Sequence, residues 1–523
     1  MNYDLIIIGA GINGAGIARD ASLRGLSVLL LDKSDVGSGT SSWSTRLIHG
    51  GLRYLEHGEL SLVRESLRER EILLTIAPHL VRPLPILIPV FQDSRRGKIM
   101  IRAGLIVYDL LSHQKSVPKH RMLSRAETLR QQPGLNSQGL VGAAMYYDAQ
   151  VEFPERLVLE NVLSAREHGA RVVTYATVKK ISGDSKNHLI VSFESRGVVE
   201  EARARIVINA AGPWVDQVLQ QDGLPQSRLI GGTKGSHIIV APFEGAPTDA
   251  VYLEARSDGR PFFVIPWNNN YLIGTTDVRF DSDPTSVRVE SWEVSYLLNE
   301  TNRAFPKAKL TRQNVLYGYA GVRPLPYTAN QNEQKITRRH FIRRHPQYEN
   351  LLSIVGGKLT TFRSLAEECV DFVYRILGQP SPKCLTAEAA LPGAARLMSI
   401  DAAQSMVSPL PEKVRIRQSR VYGLSGVDLA KLCSRIPALL EPINETGDAI
   451  AAEVVYAFEN ELATTLTDCL MRRMMLGLDR DLGMSAAERV ARVAQTHLGW
   501  SEDRVLKELS AYRSYVDRFE IGS

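Results

Sequence analysis

The chain has 523 residues, of which 44% are hydrophobic and 23% charged, and its formal net charge at pH 7 is +6. This is the composition of an ordinary globular protein, with length for about two to four domains and a large core. The charge is too small for this length to predict nucleic-acid binding, although attraction to an anionic lipid or substrate stays open. No run of about 20 apolar residues predicts a transmembrane helix, and no signal-peptide pattern precedes the first predicted strand.

Four cysteines are widely spaced in the sequence, at positions Cys369, Cys384, Cys433 and Cys469. They form no Cys-x-x-Cys pair and no Cys/His group with the spacing of zinc ligands, so no metal site is predicted. We expect reduced thiols in a protein that faces the cytoplasm.

The first predicted element is a buried parallel strand at residues 4–8, where the sequence is Asp-Leu-Ile-Ile-Ile. A glycine-rich stretch at residues 9–16 follows, then a predicted helix at residues 17–23. A second apolar strand at residues 27–31 ends at Asp32. The pattern predicts a βαβ unit at the start of the chain.

Strand patterns dominate the middle of the chain. Residues 83–92 are predicted to be extended, residues 171–210 to return to the first sheet, and residues 237–277 to form an antiparallel sheet. Residues 351–361 indicate a strand, a tight turn and the start of a helix.

After Pro392 and Gly393 the strand patterns fade, and a separate helical domain is predicted. Residues 501–519 place five apolar side chains on one helical stripe, namely Val505, Leu509, Tyr512, Val516 and Phe519. Ser485 and Glu488 have the spacing of a capping box at the start of another helix.

The glycine-rich stretch fits the dinucleotide-binding fingerprint Gly-x-Gly-x-x-Gly at Gly9, Gly11 and Gly14. The glycines permit a tight turn, close approach of a pyrophosphate and close packing of helix on strand, while the helix N-terminus attracts phosphate. Asp32 is placed to accept hydrogen bonds from ribose hydroxyls. FAD and NAD share this pattern. Further strand-to-glycine turns at residues 209–214 and 356–361 favour FAD.

Three groups of segments are more specific. The first is TSSWSTRLIHGGLRYLE at residues 40–56, and the second is KGSH at residues 234–237 with GTTD at residues 274–277. The third is GVRPL at residues 321–325, ITR at residues 336–338 and GGKLTT at residues 356–361, followed by Arg363. In this order, these segments resemble the membrane-associated, FAD-dependent sn-glycerol-3-phosphate dehydrogenases.

The resemblance implies an α/β fold with an FAD-binding, Rossmann-like domain of the glutathione-reductase and D-amino-acid-oxidase type. An antiparallel β substrate domain and an α-helical C-terminal domain complete it. We expect the FAD-binding domain at residues 1–80, 150–235 and 325–390, the substrate domain at residues 81–149 and 236–324, and the helical domain at residues 394–523.

FAD is expected to bind non-covalently. Together, the fingerprint and the resemblance imply that its binding residues are Gly9, Gly11, Asn13, Gly14, Asp32, Thr40, Ser41, Thr45, Arg46, Leu47, His49, Val178, Gly212, Gly357, Lys358, Leu359 and Thr360.

The implied substrate is sn-glycerol 3-phosphate, a small dianion whose phosphate calls for convergent cationic donors. The resemblance implies that the substrate-binding residues are Arg53, Tyr54, His237, Thr276, Arg323, Arg338 and Lys358. Purely structural roles stay open at this stage. Arg53 fits a surface helix end, Arg323 a turn anchor, Arg338 a solvated basic run and His237 a satisfied core histidine.

The implied reaction transfers hydride from carbon 2 of the substrate to the flavin and makes dihydroxyacetone phosphate. His237 is the preferred base because of its intrinsic pKa, and Arg323 is a second catalytic candidate that would stabilise the developing alkoxide. By resemblance, the electron acceptor is a membrane quinone.

Three other functions are alternatives to this one. A glycerol-3-phosphate oxidase that uses oxygen is the nearest alternative, and an amine or amino-acid oxidase of the same fold is more distant. The GTTD segment and the convergent arginines argue against the latter. A non-enzymatic FAD- or nucleic-acid-binding scaffold is disfavoured because basic and acidic residues are interspersed and no recognition motif stands out.

A quinone acceptor without a transmembrane helix implies peripheral contact with the inner face of the cytoplasmic membrane. Residues 95–111, RRGKIMIRAGLIVYDLL, form a basic amphipathic stretch that suits the headgroup region. A helix that packs between domains is the alternative for this stretch, and a homodimer stays open.

Overall fold

The computed structural model describes residues 2–112, 115–183, 188–220, 228–328, 336–394 and 410–521. Within these ranges the strands are β1 (Asn2–Ile8), β2 (Val28–Leu31), β3 (Leu47–Ile48), β4 (Val81–Phe91), β5 (Arg121–Ser124), β6 (Leu140–Val151), β7 (Arg171–Val173), β8 (Ala176–Gly183), β9 (Leu189–Ser195), β10 (Val198–Asn209), β11 (Thr233–Val240), β12 (Ala250–Glu254), β13 (Pro261–Trp267), β14 (Asn270–Gly274), β15 (Val278–Arg279), β16 (Val315–Arg323), β17 (Phe341–Arg344) and β18 (Leu351–Val355).

The helices are α1 (Ile12–Leu23), α2 (Leu60–Ile76), α3 (Lys98–Leu111), α4 (Arg125–Gln131), α5 (Pro154–Glu167), α6 (Val215–Gln220), α7 (Ser291–Ala304), α8 (Phe362–Leu377), α9 (Glu412–Val421), α10 (Gly426–Arg435), α11 (Ala451–Glu459), α12 (Leu466–Asp468), α13 (Met484–Leu498) and α14 (Glu502–Val516). The segment Leu52–His57 forms a short 3-10 helix.

The first sheet has the strand order β17-β18-β10-β1-β2-β7, with β8 and β9 attached through β10. Its central strands β18, β10, β1, β2 and β7 run parallel. Both faces of β1 are buried: Leu5 and Ile7 pack in the core formed with α1, α5 and α8, whereas Ile6 and Ile8 pack in the core formed with β8 and β9. Burial on both faces explains the continuous apolar run of β1.

The second sheet has the order β15-β11-β14-β13-β12-β4-β6-β3, with β16 on β11 and β5 on β6. Alternate residues of β11 face opposite sides of this sheet. Ile238 and Val240 pack in the core with α7, while Ile239 packs in the core shared with the C-terminal helices. Strands β6 and β11 extend across the predicted domain boundaries at residues 149/150 and 235/236. Strand β3 lies inside the predicted FAD-binding range but pairs with β6 of this sheet.

Helix α1 begins five residues earlier than predicted, inside the glycine-rich stretch, with Gly11 as its N-cap. A Cβ on Gly16 would lie 2.7 Å from the ring of Phe362 in α8, so the low helix propensity of glycine is overridden by the need for close helix packing.

The C-terminal part is helical, as predicted, from residue 410 onward; residues 395–409 of the predicted domain lie outside the described residues. Val505, Tyr512, Val516 and Phe519 are buried, and Leu509 is partly buried, so the predicted apolar stripe of α14 is confirmed.

The predicted capping box at Ser485 and Glu488 is wrong. Helix α13 begins at Met484, and the N–H of Ser485 donates to Oδ2 of Asp481 at 2.8 Å. Asp481 therefore satisfies this amide group from outside the helix. The four cysteines, all within the described ranges, are free thiols.

Candidate active site

A cavity of about 940 Å³ extends from the carboxyl ends of the parallel strands to the second sheet. Its walls include Gly9 and Ala210, at the ends of β1 and β10, and His237 and Tyr319 of the second sheet. The carboxyl edge of a parallel sheet is the usual place for ligands in α/β folds.

The fingerprint residues make close contacts at one end of the cavity. Gly9 has φ +105°, and a Cβ on Gly14 would lie 1.8 Å from the Gly9 carbonyl oxygen, so only glycine fits at position 14. The N–H groups of Ala10 and Ser34 donate to the Asp32 carboxylate at 2.6 and 2.8 Å. Burial raises the pKa of Asp32 to about 6.

Five side chains that line the cavity carry a buried polar atom without a hydrogen-bond partner among the described residues. They are Oδ1 of Asn13, Nε1 of Trp214, Nδ1 of His237, Nη1 of Arg338 and Nε of Arg518. Buried polar atoms are normally paired, so this pattern fits a polar ligand. With the glycine-rich turn, the residues present fit FAD.

Most of the predicted cofactor residues lie in the cavity wall, namely Gly9, Gly11, Asn13, Asp32, Thr40, Ser41, Thr45, Leu47, His49, Val178, Gly212, Gly357, Lys358, Leu359 and Thr360. Gly14 does not line the cavity, because it faces Gly9. Arg46 does not line it either. Its guanidinium donates twice to Glu155 at 3.0 Å and lies 4.4 Å from the centroid of the Trp267 ring. The side chain of this predicted FAD contact therefore binds protein groups.

His49 is half-buried in the wall, and its backbone N–H donates to Oγ1 of Thr360 at 3.1 Å. Burial, with the charges of Lys358 and Arg53, lowers the pKa of His49 to about 3. Its imidazole is therefore neutral at physiological pH.

The predicted phosphate-binding residues converge around Tyr54. Nζ of Lys358 lies 4.7 Å from the Tyr54 ring centroid and donates to Oγ of Ser66 at 2.8 Å; the Arg53 guanidinium lies 5.4 Å from the same ring. Burial raises the pKa of Tyr54, but four cations outweigh it and leave the pKa below its usual value. These cations are Lys358, Arg53, Arg338 and Arg323.

Asp277 lies between two of these arginines. Its Oδ1 accepts from Arg323 at 3.0 Å, and its Oδ2 accepts from Arg338 at 3.1 Å. Burial opposes ionisation, but the nearby arginines hold the pKa of Asp277 below its usual value. The carboxylate therefore orients both guanidinium groups.

Thr276 was predicted to bind substrate, but it does not line the cavity. Its hydroxyl donates to Oε1 of the buried Glu293 at 2.7 Å and accepts from the N–H of Ser236 at 2.9 Å. Thr276 thus supports β11 from behind the wall, because both hydrogen bonds tie it to protein groups.

His237 is 1% exposed and stacks on Tyr319, with ring centroids 4.9 Å apart. Its Nε2 lies 2.9 Å from Oγ1 of Thr45. Burial, with the charges of Arg323 and Arg46, holds the pKa of His237 well below its usual value. The intrinsic pKa on which the choice of this residue as base rests therefore does not apply, and the imidazole is neutral at physiological pH.

The sequence interpretation assigned no role to Asp277 or Tyr319. Asp277 is the last residue of the GTTD segment, which is one of those that carry the family resemblance. Alternation along β16 places Tyr319 on the same face of the strand as Arg323. Wall residues from α14 and its surroundings, such as Tyr515, were also missed, because no local pattern links a distant helix to the cavity.

The arrangement joins a dinucleotide-binding turn, a cluster of four cations with one carboxylate, and a buried neutral imidazole in one cavity. It can bind a small anionic substrate beside a flavin and accept a proton from it.

Comparison with known proteins shows the family to which the chain belongs. Residues 4–366 match the family profile "FAD dependent oxidoreductase", and residues 384–505 match "C-terminal domain of alpha-glycerophosphate oxidase". A Synechocystis protein named glycerol-3-phosphate dehydrogenase is 46% identical over 99% of this chain and 96% of its own length. A Pseudomonas aeruginosa protein of the same name is 38% identical over 91% of this chain and 92% of its own.

Among solved structures, the glycerol-3-phosphate dehydrogenase from Bacillus halodurans, complexed with FAD, superposes with a TM-score of 0.80. It is 29% identical and covers 99% of this chain and 95% of its own. The predicted fold class and the FAD cofactor are thereby confirmed, and the chain belongs to the FAD dependent oxidoreductase family, within its group of glycerol-3-phosphate dehydrogenases.

Proposed function

We propose that this enzyme oxidises sn-glycerol 3-phosphate to dihydroxyacetone phosphate and passes the electrons to a membrane quinone. FAD, when bound, supplies the acceptor for the hydride that leaves carbon 2. The observation that carries the proposal is the convergence of Arg53, Arg323, Arg338 and Lys358 around Tyr54, in the same cavity as the neutral His237.

The cation cluster binds the substrate phosphate. Arg338 is 7% exposed, and its Nη1 has no hydrogen-bond partner among the described residues, so this group is available to a phosphate oxygen. Guanidinium groups suit phosphate because their planar fork gives two parallel hydrogen bonds. Asp277 holds Arg323 and Arg338 in place before substrate arrives.

His237 takes the proton from the hydroxyl on carbon 2. When its Nε2–H donates to Thr45, the other ring nitrogen, Nδ1, is left as an acceptor. The low pKa keeps the imidazole unprotonated, and the negative phosphate of the substrate raises its affinity for a proton at the moment of transfer. Arg323, beside it, stabilises the alkoxide that develops on the substrate oxygen.

Helix α3 brings the enzyme to the membrane. Ile99, Met100 and Leu110 are 86%, 62% and 77% exposed, and the basic residues Lys98 and Arg102 of the same helix are exposed beside them. A helix with apolar residues in water and basic residues at its edge suits the surface of an anionic membrane. In the part of the chain that the structure describes, no helix is long and apolar enough to cross a bilayer.

Anaerobic mixing of the FAD-loaded enzyme with glycerol 3-phosphate tests the proposal. We expect bleaching of the flavin absorbance, no bleaching with glycerol or sarcosine, and reoxidation by a quinone analogue faster than by oxygen. Faster reoxidation by oxygen would assign the oxidase activity instead, and failure of glycerol 3-phosphate to bleach the flavin would remove the proposed substrate.

A further inference from the structure

The loop that follows β2 is tied to the C-terminal domain by buried charges. Arg473 donates to both oxygens of Asp35, at 2.7 and 2.9 Å, and Nε of Arg472 donates to Oδ2 at 2.5 Å. All three side chains are at most 4% exposed. Asp35 lies three residues after Asp32, so the C-terminal domain is anchored on the loop that receives the adenosine ribose.

Tyr175 closes a ring of hydrogen bonds between the same two parts of the chain. Its N–H donates to the carbonyl of Ser34 at 3.1 Å, and its hydroxyl donates to Oδ1 of Asp468 at 2.6 Å. Asp468 also accepts from Nη2 of Arg472 at 2.8 Å, and Arg472 returns to Asp35. Hydrogen bonds to charged groups are the stronger ones, so this ring fixes the loop and the C-terminal domain relative to each other.

Residues of this ring face the FAD cavity. Asp35, Tyr175 and Arg472 line it, and so do Thr465 and Tyr515 of the C-terminal domain. Asp35 and Tyr175 each lie three residues from a predicted cofactor residue of the cavity wall, Asp32 and Val178 respectively. The helical domain is therefore a wall of the adenosine end of the cavity.

We infer that the C-terminal helical domain is part of the FAD site, and that its docking on residues 32–35 and FAD binding are coupled. If FAD binds only when the domain is docked, bound FAD stabilises the docked form. A loss of docking then raises the FAD dissociation constant by the same factor by which FAD favours docking. The inference rests on the cofactor and on these contacts, and it is independent of the proposed substrate and acceptor.

Substitutions in the ring test the coupling, with FAD affinity measured by flavin fluorescence during titration of the apoprotein. Asp35→Asn leaves two buried arginines without their counter-ion and should raise the FAD dissociation constant about tenfold or more, which is about 1.4 kcal/mol. Tyr175→Phe removes one hydroxyl and should raise it about threefold to tenfold.

Tyr422→Phe is the matched control. Its buried hydroxyl also donates to a carboxylate, Glu453, at 3.0 Å, but both residues lie within the C-terminal domain and outside the cavity wall. FAD affinity should stay within about twofold of wild type in this variant. Equal FAD affinities for Tyr175→Phe and Tyr422→Phe would overturn the inference, even if Asp35→Asn does not fold.

Hydrogen exchange gives an independent readout that needs no turnover. Saturating FAD should slow amide exchange at residues 466–473 of the wild-type protein, because binding lowers the population of the undocked form. Exchange at these residues that is the same with and without FAD would also overturn the coupling. Neither readout uses glycerol 3-phosphate, so a failure of the proposed reaction would be recognised separately.

Discussion

Nε2 of His237 lies 2.9 Å from Oγ1 of Thr45, and when Nε2–H donates in this contact the other ring nitrogen, Nδ1, is left to act as the base. Tyr319 stacks on the ring and donates its hydroxyl to the carbonyl of Ser44 at 2.8 Å, so the imidazole is held by a hydrogen bond and by its stacked neighbour. The ring is thus oriented before substrate binds, which is what proton transfer at a fixed distance requires.

Replacing His237 with Ala should lower the anaerobic rate of flavin reduction about 10²- to 10⁴-fold, because a positioned base is lost. FAD content and substrate affinity should change less, and the isotope effect of deuterium at carbon 2 should persist or grow. Thr45→Val should give a smaller loss of about tenfold, since the ring stays but loses a hydrogen bond that orients it. Stopped-flow absorbance measures both rates.

Tyr319→Phe is the control for these two variants, because it keeps the stacked ring and loses only the hydrogen bonds of the hydroxyl, to the carbonyl of Ser44 and to Arg46. Its rate should remain near that of wild type. Near-normal flavin reduction in His237→Ala would reject this residue as the base and shift the role to Arg323 or to a water molecule.

Arg323→Ala and Arg338→Ala should each weaken transition-state binding of glycerol 3-phosphate. A lost charge-assisted hydrogen bond is worth about 1.5–3 kcal/mol, which corresponds to a loss of about tenfold to hundredfold in kcat/KM. Both variants should also discriminate less between glycerol 3-phosphate and glycerol than wild type does. Steady-state kinetics with both substrates, at equal FAD content, measure the effect.

Arg339→Ala is the matched control for Arg338→Ala. Arg339 is the next residue, carries the same charge, is exposed, and donates to the hydroxyl of Ser61 rather than to Asp277. An equal loss in both variants would mean that the general positive potential, and not a phosphate contact of Arg338, supports binding.

Local patterns predicted the parts of the site that are local in sequence. Gly9, Gly14 and Asp32 are close in the chain, and their spacing alone predicts the turn and the carboxylate that the structure contains. The start of α1 was predicted too late, because glycine at positions 14 and 16 lowers helix propensity and only the packing against β1 and α8 explains it.

The remaining features depend on contacts between distant segments. Asp277 lies 46 residues from Arg323 and 61 from Arg338 in sequence, so no local spacing shows that one carboxylate holds both arginines. The pKa of His237 could not be predicted for the same reason, since its burial and its charged neighbours arise only on folding.

FAD affinity should depend on pH through Asp32, whose pKa is raised to about 6 by burial. The ionised carboxylate accepts hydrogen bonds from the ribose hydroxyls, and the protonated form accepts them less well. The affinity should therefore be highest above pH 6 and should fall as the pH decreases through 6.

Flavin fluorescence titrations at pH 5 and pH 7 measure the change in FAD affinity. The Asp32→Asn variant should bind FAD more weakly and without this pH dependence. A pH profile that is the same in both proteins would contradict the assignment.

Charge reversal on α3 tests the electrostatic part of membrane binding. Arg95, Lys98 and Arg102 are exposed, and each should contribute about 1 kcal/mol to binding of an anionic surface. The triple change to Glu should lower partition to anionic vesicles more than about hundredfold, with little effect on neutral vesicles. Arg96 is left intact, because it pairs with Glu56 in the 3-10 helix that carries the predicted substrate residues.

Removing the apolar face of α3 tests the other part of membrane binding. Ile99→Ser and Leu110→Ser, made together, should lower partition to both anionic and neutral vesicles, because each exposed side chain loses about 1.5–3 kcal/mol of burial in the lipid boundary.

Leu506→Ser on α14 is the control, since Leu506 is also an exposed leucine, 56% exposed, but lies outside α3. Flavin reduction in solution should be unchanged in all three substitutions, so that only vesicle sedimentation separates them. Partition that is lowered equally by the control, or is unchanged in the double variant, would remove α3 from the proposed membrane surface.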